Sequence, residues 1–320
     1  MTVFPDHTPD PPESLPPDLP APPDPKGGDP SHLQQDDGLL FKQFFMPPPT
    51  PQDRIPHMGH VGLLVLLGLT GLLSAILVAR LGVHFHLFGV TTLAQATTDI
   101  HYTLATEGIF YLLTFVGALL LFPVLWEKGF FAGLQWRAGA AFRRSGYLFG
   151  AALACFGLAL VNGMLMPGPN DAPIDKIFRT PGAAWILFAF GVTFAPFFEE
   201  IAFRGFLLPA LCTAFDWSVE RSTGHLPRPL HRNGHPRWSL PAMVASSLAS
   251  SLLFALLHAD QTGYSLGPFL LLVCVSLVLC GIRLTTRSLA ASVVVHACYN
   301  FLLFTLMFLG TSGFKHLDKM

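Results

Sequence analysis

The sequence predicts an all-α protein, a polytopic transmembrane bundle of about seven helices behind a disordered Pro-rich N-terminal tail. Three observations lead there. Hydrophobic residues make up 51% of the chain and charged residues only 12%, against roughly 25% charged in a soluble domain, so much of the surface must face lipid. Uncharged apolar runs recur at the ~20 residues that a hydrocarbon core of about 30 Å requires. Residues 1–56 break with this pattern, because 16 of the chain's 28 prolines lie there among scattered acidic residues.

A segment of that composition cannot bury enough apolar area to offset the entropy of ordering, and each proline removes a backbone donor. It is expected to be disordered and partly polyproline-like. Its PPDLP and MPPPTP stretches have the chemistry that docks on aromatic grooves, but a passive tail is the simpler reading. No basic segment leads into an apolar run here, so it does not read as a secretory signal peptide. The first apolar segment is expected to remain in the protein.

The spans follow in order. Residues 61–79 and 108–126 each run 19 residues without a formal charge, and 146–166 runs 21. A longer run from 182 to about 214 is interrupted only by Glu199, Glu200 and Arg204, and 240–258, 264–282 and 288–310 follow. The stretch 81–100 is half apolar and is read as a re-entrant or interfacial piece, not a span. All five cysteines lie in apolar stretches without a Cys-x-x-Cys pair, and are read as small buried hydrophobes.

Lys and Arg distribution gives the orientation. Lys128, Arg137, Arg143 and Arg144 follow the second helix, Arg221, Arg228, Arg232 and Arg237 the fourth, and Arg283 and Arg287 the sixth. Lys176 and Arg179 alone follow the third, and nothing basic lies between His258 and Tyr264. The tail is therefore expected in the cytoplasm and the C-terminus outside. A net charge of −1 without a basic tract excludes nucleic acid as a partner and leaves membrane lipid.

The informative residues are those that lipid should reject. A formal charge at a helix centre costs about 2.5–3.5 kcal/mol, and a Leu or Phe returns only about 0.3–0.6. Glu199, Glu200 and Arg204 must therefore pair or face water. Glu200 and Arg204 stand at i and i+4 and share a face, while Glu199 is rotated by about 100°. One carboxylate is then structural and the other available. His258 closes an apolar helix one turn after Phe254, and His296 and Asn300 stand one turn apart in a run of Val, Leu and Phe. Singly, each is as readily a satisfied core residue as a functional one. Together they supply carboxylates, imidazoles, an amide and a guanidinium, the inventory for water activation and oxyanion stabilisation.

Three ordered motifs carry a family resemblance: EEIAFR at 199–204 followed by Gly205, FALLH at 254–258 and HACYN at 296–300. The chain resembles the CaaX prenyl protease and bacteriocin-processing (CPBP) family, also called type II CaaX endopeptidases or the Abi family, over about 182–305. The resemblance implies a helical intramembrane protease core at 182–310, with transmembrane helices at 57–181 before it and a short C-terminal tail at 311–320. It implies endopeptidase activity on a membrane-associated peptide or protein. It also makes Glu199 the general base, His258 the residue that shares its water, and His296 and Asn300 the oxyanion donors, with Glu200 and Arg204 as a structural ion pair. One departure is the basic insert at about 216–238, longer than the turn expected between the first two motifs.

Metal is left open. Glu199, His258 and His296 could form a His₂Glu zinc site with water as the fourth ligand, but no His-Glu-x-x-His helix is present, and direct water activation is weighed slightly above metal. The Gly-x-Ser-Gly string of rhomboid-like enzymes is spelled only at residues 310–313, at the very end of the last apolar run, and no Gly-x-Gly-Asp aspartyl motif occurs. Two readings from other classes compete, a transporter or proton relay and a catalytically silent scaffold. The geometry carries one tension: straight helices put His296 about 12 Å and His258 about 28 Å from their cytoplasmic ends. Convergence of Glu199, His258, His296 and Asn300 on one cavity is expected nonetheless.

Overall fold

The computed structural model describes residues 54–168, 183–225, 228, 230 and 235–314, all within the unit Pro48–Met320. Most of the Pro-rich tail and the last residues of the C-terminal tail lie outside the described residues. Among the described residues seven helices are long and apolar enough to cross a membrane: α1 (Met58–His84), α2 (Ile100–Trp126), α3 (Ser145–Leu165), α4 (Ala183–Thr223), α5 (Leu240–Leu257), α6 (Leu266–Thr286) and α7 (Leu289–Gly310). The described residues contain no strand. Seven spans and an all-helical, multi-pass membrane architecture are thus as the sequence predicts.

Side-chain caps start several of these helices. Asp99 accepts from the backbone N–H of His101 and Tyr102 at α2, Ser239 from Ala242 at α5 and Ser288 from Ala291 at α7, each satisfying a donor that an α-helix leaves free at its start. Along α1, α2 and α3 large apolar side chains such as Leu73, Leu120 and Met164 stay exposed, the pattern of helices whose outer face is lipid.

Three boundaries differ from the sequence reading, each for the same reason. Counting uncharged runs starts the second helix at 108 and ends the sixth at 282, because Glu107 and Arg283 bound those runs. The structure starts α2 at the Asp99 cap and carries α6 on to Thr286, so both charged side chains lie inside helices. The run read to 214 likewise continues to Thr223, where Gly224 takes the left-handed conformation (φ 69°) that ends helices cheaply only at glycine. The start of the basic insert is therefore helix. Within 81–100, α1 extends to His84 and the rest holds only a 3₁₀ turn at Leu87–Gly89 and a short helix at Leu93–Ala96.

Helix α4 is the centre of the site, and it is not uniformly α-helical. It widens into π-helix at Phe190–Phe194 and again at Ile201–Leu207, a form that occurs mostly as short bulges at functional positions. The prolines explain what these bulges expose. After the first, the Ala195 N–H bonds back to Phe190 O, so the next i→i+5 bond, to Gly191 O, would need an N–H from Pro196, which has none. After the second, Leu208 N–H bonds Phe203 O, and Arg204 O would need an N–H from Pro209. Two carbonyls are left without helical partners, and each is taken from another helix. Asn300 Nδ2 donates to Gly191 O at 2.7 Å, and Arg283 Nε donates to Arg204 O at 3.1 Å.

Close approach makes these reaches possible. A Cβ on Gly191 would meet the Phe304 ring of α7 at 2.9 Å, and one on Gly205 would meet Leu289 at 3.3 Å. On α5, Ser246, Ser250 and Ser251 are fully buried, the small-residue packing that membrane helices use. Arg283 is also held by Gln135 Oε1 at 2.9 Å and Leu134 O at 3.3 Å. It thereby ties the connection between α2 and α3 to the core of the bundle.

Candidate functional site

The site is assembled from α4, α5 and α7, with α6 behind it. Glu200 and Arg204 form its floor, both side chains 0% exposed. Arg204 Nη1 donates to Glu200 Oε1 at 2.8 Å, and Arg204 Nη2 donates to Ser276 Oγ at 2.7 Å and Ser276 O at 3.1 Å on α6. The Phe254 ring lies 4.9 Å from the guanidinium carbon and supplies a π-face to the cation. Glu200 Oε1 also lies 3.0 Å from His296 Nδ1. An ionised carboxylate can only accept, so Nδ1 of His296 carries the proton.

Glu199, one residue earlier, faces away from Arg204 and toward the imidazoles. Its Oε1 is 3.7 Å from His258 Nε2 and its Oε2 is 3.8 Å from His296 Nε2. Its side chain is 15% exposed and that of His258 20%, so this corner stays open while the Glu200–Arg204 pair is sealed. His258 caps α5, and its Nδ1 lies 2.8 Å from Phe254 O. A carbonyl also only accepts, so that nitrogen too is the donor. In the neutral tautomers both Nε2 atoms therefore present lone pairs to a carboxylate. Three acceptors face one another at distances too long for direct hydrogen bonds, an arrangement that suits a small molecule with two O–H donors between them.

Helix register removes part of the offset in depth. Ser251 of α5 lies opposite Cys280 of α6, Oγ to Sγ 3.9 Å. The part of α5 before Ser251 rises about 16 Å and the part of α6 after Cys280 about 9 Å, so α5 starts about 7 Å beyond the end of α6. His258 and His296 both come to Glu199. Asn300, one turn beyond His296 on α7, spends one of its N–H donors on Gly191 O at 2.7 Å.

Two side chains near the cluster escape the sequence reading. Glu107 of α2 lies near Tyr111 and within electrostatic reach of Glu199 and His258. Tyr111 stacks on Phe198, the neighbour of Glu199, with ring centroids 5.0 Å apart and planes 20° apart. The signal was a formal charge at the edge of an apolar run, which reads equally well as a boundary. Ser276 is the other, a small polar residue on an apolar helix with nothing to single it out.

The bond from Asn300 makes a specific prediction. Asn300→Ala strands Gly191 O and should cost roughly 1–3 kcal/mol of stability, read as a lowered melting temperature. Pro196→Ala supplies the missing N–H, so Asn300→Ala should cost clearly less in that background. Equal losses in both backgrounds would contradict the carbonyl-capping account.

Among the described residues no three His, Cys, Asp or Glu side chains are arranged to hold a metal ion. The donor types of a His₂Glu set are present at Glu199, His258 and His296, with a carbonyl and a carboxylate on the far ring nitrogens as such sites favour.

No curated protein and no solved structure matches the chain. Residues 181–302 match the family described as type II CAAX prenyl endopeptidase Rce1-like. That segment holds all three motifs and leaves out α1–α3, and with them Glu107. The resemblance to the type II CaaX endopeptidase family is thereby shown over residues 181–302.

Proposed function

We propose that the protein is an intramembrane endopeptidase in which Glu199, with His258 and His296, activates a water molecule against a peptide bond of a membrane-associated peptide or protein. The observation that carries this reading is the trio of facing acceptors, the Glu199 carboxylate and the two Nε2 atoms at 3.7 and 3.8 Å. Water has the two donors that such a pocket needs. Bound there, it gives one proton to Glu199 while its oxygen attacks the carbonyl carbon. The C–N bond then breaks, the proton taken by Glu199 passes to the leaving nitrogen, and the second water proton stays on the new carboxyl group until it passes to the amine, giving a carboxylate and an ammonium group.

The developing oxyanion needs donors. His296 supplies one as an imidazolium, with Nδ1 donating to Glu200 and Nε2 to the oxyanion, and in that state Glu199 and His258 alone hold the water. Asn300 holds Gly191 O with one N–H, and its amide has a second to offer. No step runs through a metal. In this reading residues 182–310 form the protease core and 57–181 the helices that support it, with the N-terminus in the cytoplasm as the Lys and Arg distribution suggests.

Purified protein in liposomes, incubated with a set of single-span and lipid-anchored peptides, should cut at one bond in at least one of them. A chelator such as 1,10-phenanthroline should leave that rate unchanged, and inactivation reversed by zinc would contradict the metal-free mechanism. Proton flux through the same liposomes with no peptide cut would replace the protease reading by the relay. Glu107→Gln, which removes a carboxylate within reach of Glu199 and His258, should change the pH profile of cleavage with little change in melting temperature. An unchanged profile would remove Glu107 from the site.

A further inference from the structure

A second cavity, of about 360 Å³, opens where the basic insert meets the end of α6. Its wall carries four guanidinium groups and an imidazole: Arg228, His235 and Arg237 from the connection between α4 and α5, and Arg283 and Arg287 from the end of α6. No carboxylate is among its described lining residues. Asp216 lies 3.9 Å from Arg228 Nε with its Oδ2 accepting from Ser239 N–H at 2.8 Å, and Glu220 Oε1 accepts from the Arg228 backbone N–H at 3.0 Å.

The positive-inside rule accounts for basic residues in these loops, and the negative end of the α6 dipole for two of them. Neither accounts for their convergence on one concavity, whose described lining turns several guanidinium groups toward the same space. The level is that of a membrane interface. Trp238 lines the cavity two residues before α5 begins, with its indole N–H held by Thr213 Oγ1 at 3.2 Å, and aromatic rings of this kind favour the headgroup layer. Arg283, 2% exposed, is already fixed by Arg204 O and Gln135, so the base of the cavity is rigid before any ligand arrives.

We propose that this cavity binds a phosphate-type anion, whose several acceptor oxygens match a set of guanidinium forks. Basic pockets between membrane helices take phospholipid headgroups in this way, and a free phosphate offers the same chemistry. The insert at 216–238, which departs from the family pattern, thereby acquires a task separate from the Glu199 cluster.

The test uses the full-length protein in nanodiscs of phosphatidylcholine, titrated either with phosphatidylglycerol or, at constant ionic strength, with inorganic pyrophosphate, and read by melting temperature. Wild type should be stabilised saturably by one of the two, the lipid if a headgroup is the ligand and pyrophosphate if a soluble phosphate is. In the double variant Arg228→Gln with Arg287→Gln, both exposed side chains, the midpoint should rise about thirty-fold, as expected for two lost guanidinium contacts. Should that variant melt early without ligand, Arg287→Gln alone should shift the midpoint about five-fold. No stabilisation by either probe, or equal midpoints in wild type and the variant that folds, would overturn the proposal.

Discussion

Glu199→Gln should abolish cleavage while leaving the melting temperature unchanged or slightly raised. The two halves of this result have separate causes. Loss of a positioned general base removes roughly 10²–10⁴-fold in rate, and an amide cannot accept the water's proton. The fold does not depend on the carboxylate, because Glu199 makes no hydrogen bond to the two imidazoles that face it at 3.7 and 3.8 Å. A glutamine there can turn its N–H2 toward one of the two lone pairs, a better match than the carboxylate it replaces. Cleavage assays and thermal melts of the same preparation check both parts. Wild-type turnover in a folded Glu199→Gln protein would remove Glu199 from the chemistry.

Arg204→Ala should have the largest effect on stability of any single change in the site. It leaves the Glu200 carboxylate, 0% exposed, with only His296 as a partner, and breaking a buried pair typically costs about 3–5 kcal/mol. It also removes the two bonds to Ser276 that tie α4 to α6 and the cation against the Phe254 ring. Low expression and an early thermal transition are the expected readouts, with activity lost alongside. Glu200→Gln should be milder, since its amide oxygen can still accept from Arg204 and His296, and some turnover should survive in whatever protein folds. An Arg204→Ala protein as stable as wild type would show that the pair does not hold the helices together.

Much of this architecture is legible in the sequence, because lipid imposes a simple rule. Every span is an apolar run of fixed length, and any charge within one demands a partner, so the seven helices and the polar residues of α4, α5 and α7 stand out without a structure. The i, i+4 spacing of Glu200 and Arg204 already puts both on one line. What the sequence hides follows from the same rule applied too strictly. Treating charge as a boundary excludes Glu107 and Arg283 from helices that contain them. The π bulges are hidden too: Pro196 and Pro209 announce a disturbance but not which carbonyl is released, since that depends on the bonding pattern in space. Asn300 and Arg283 find their carbonyls across tens of residues, and no local pattern encodes such a pairing. The depth of His258 relative to His296 is likewise set by where α5 begins against α6, a register between helices that neither helix records alone.

The central claim, direct attack of a Glu199-activated water on a peptide bond, is tested most directly by cleavage in ¹⁸O-water followed by mass spectrometry of both product and enzyme. Direct attack predicts one solvent oxygen in the new carboxylate of the product and none in the enzyme peptide that contains Glu199. Label in the Glu199 side chain would contradict the account, because it would mean that this carboxylate attacks the substrate itself and is then hydrolysed.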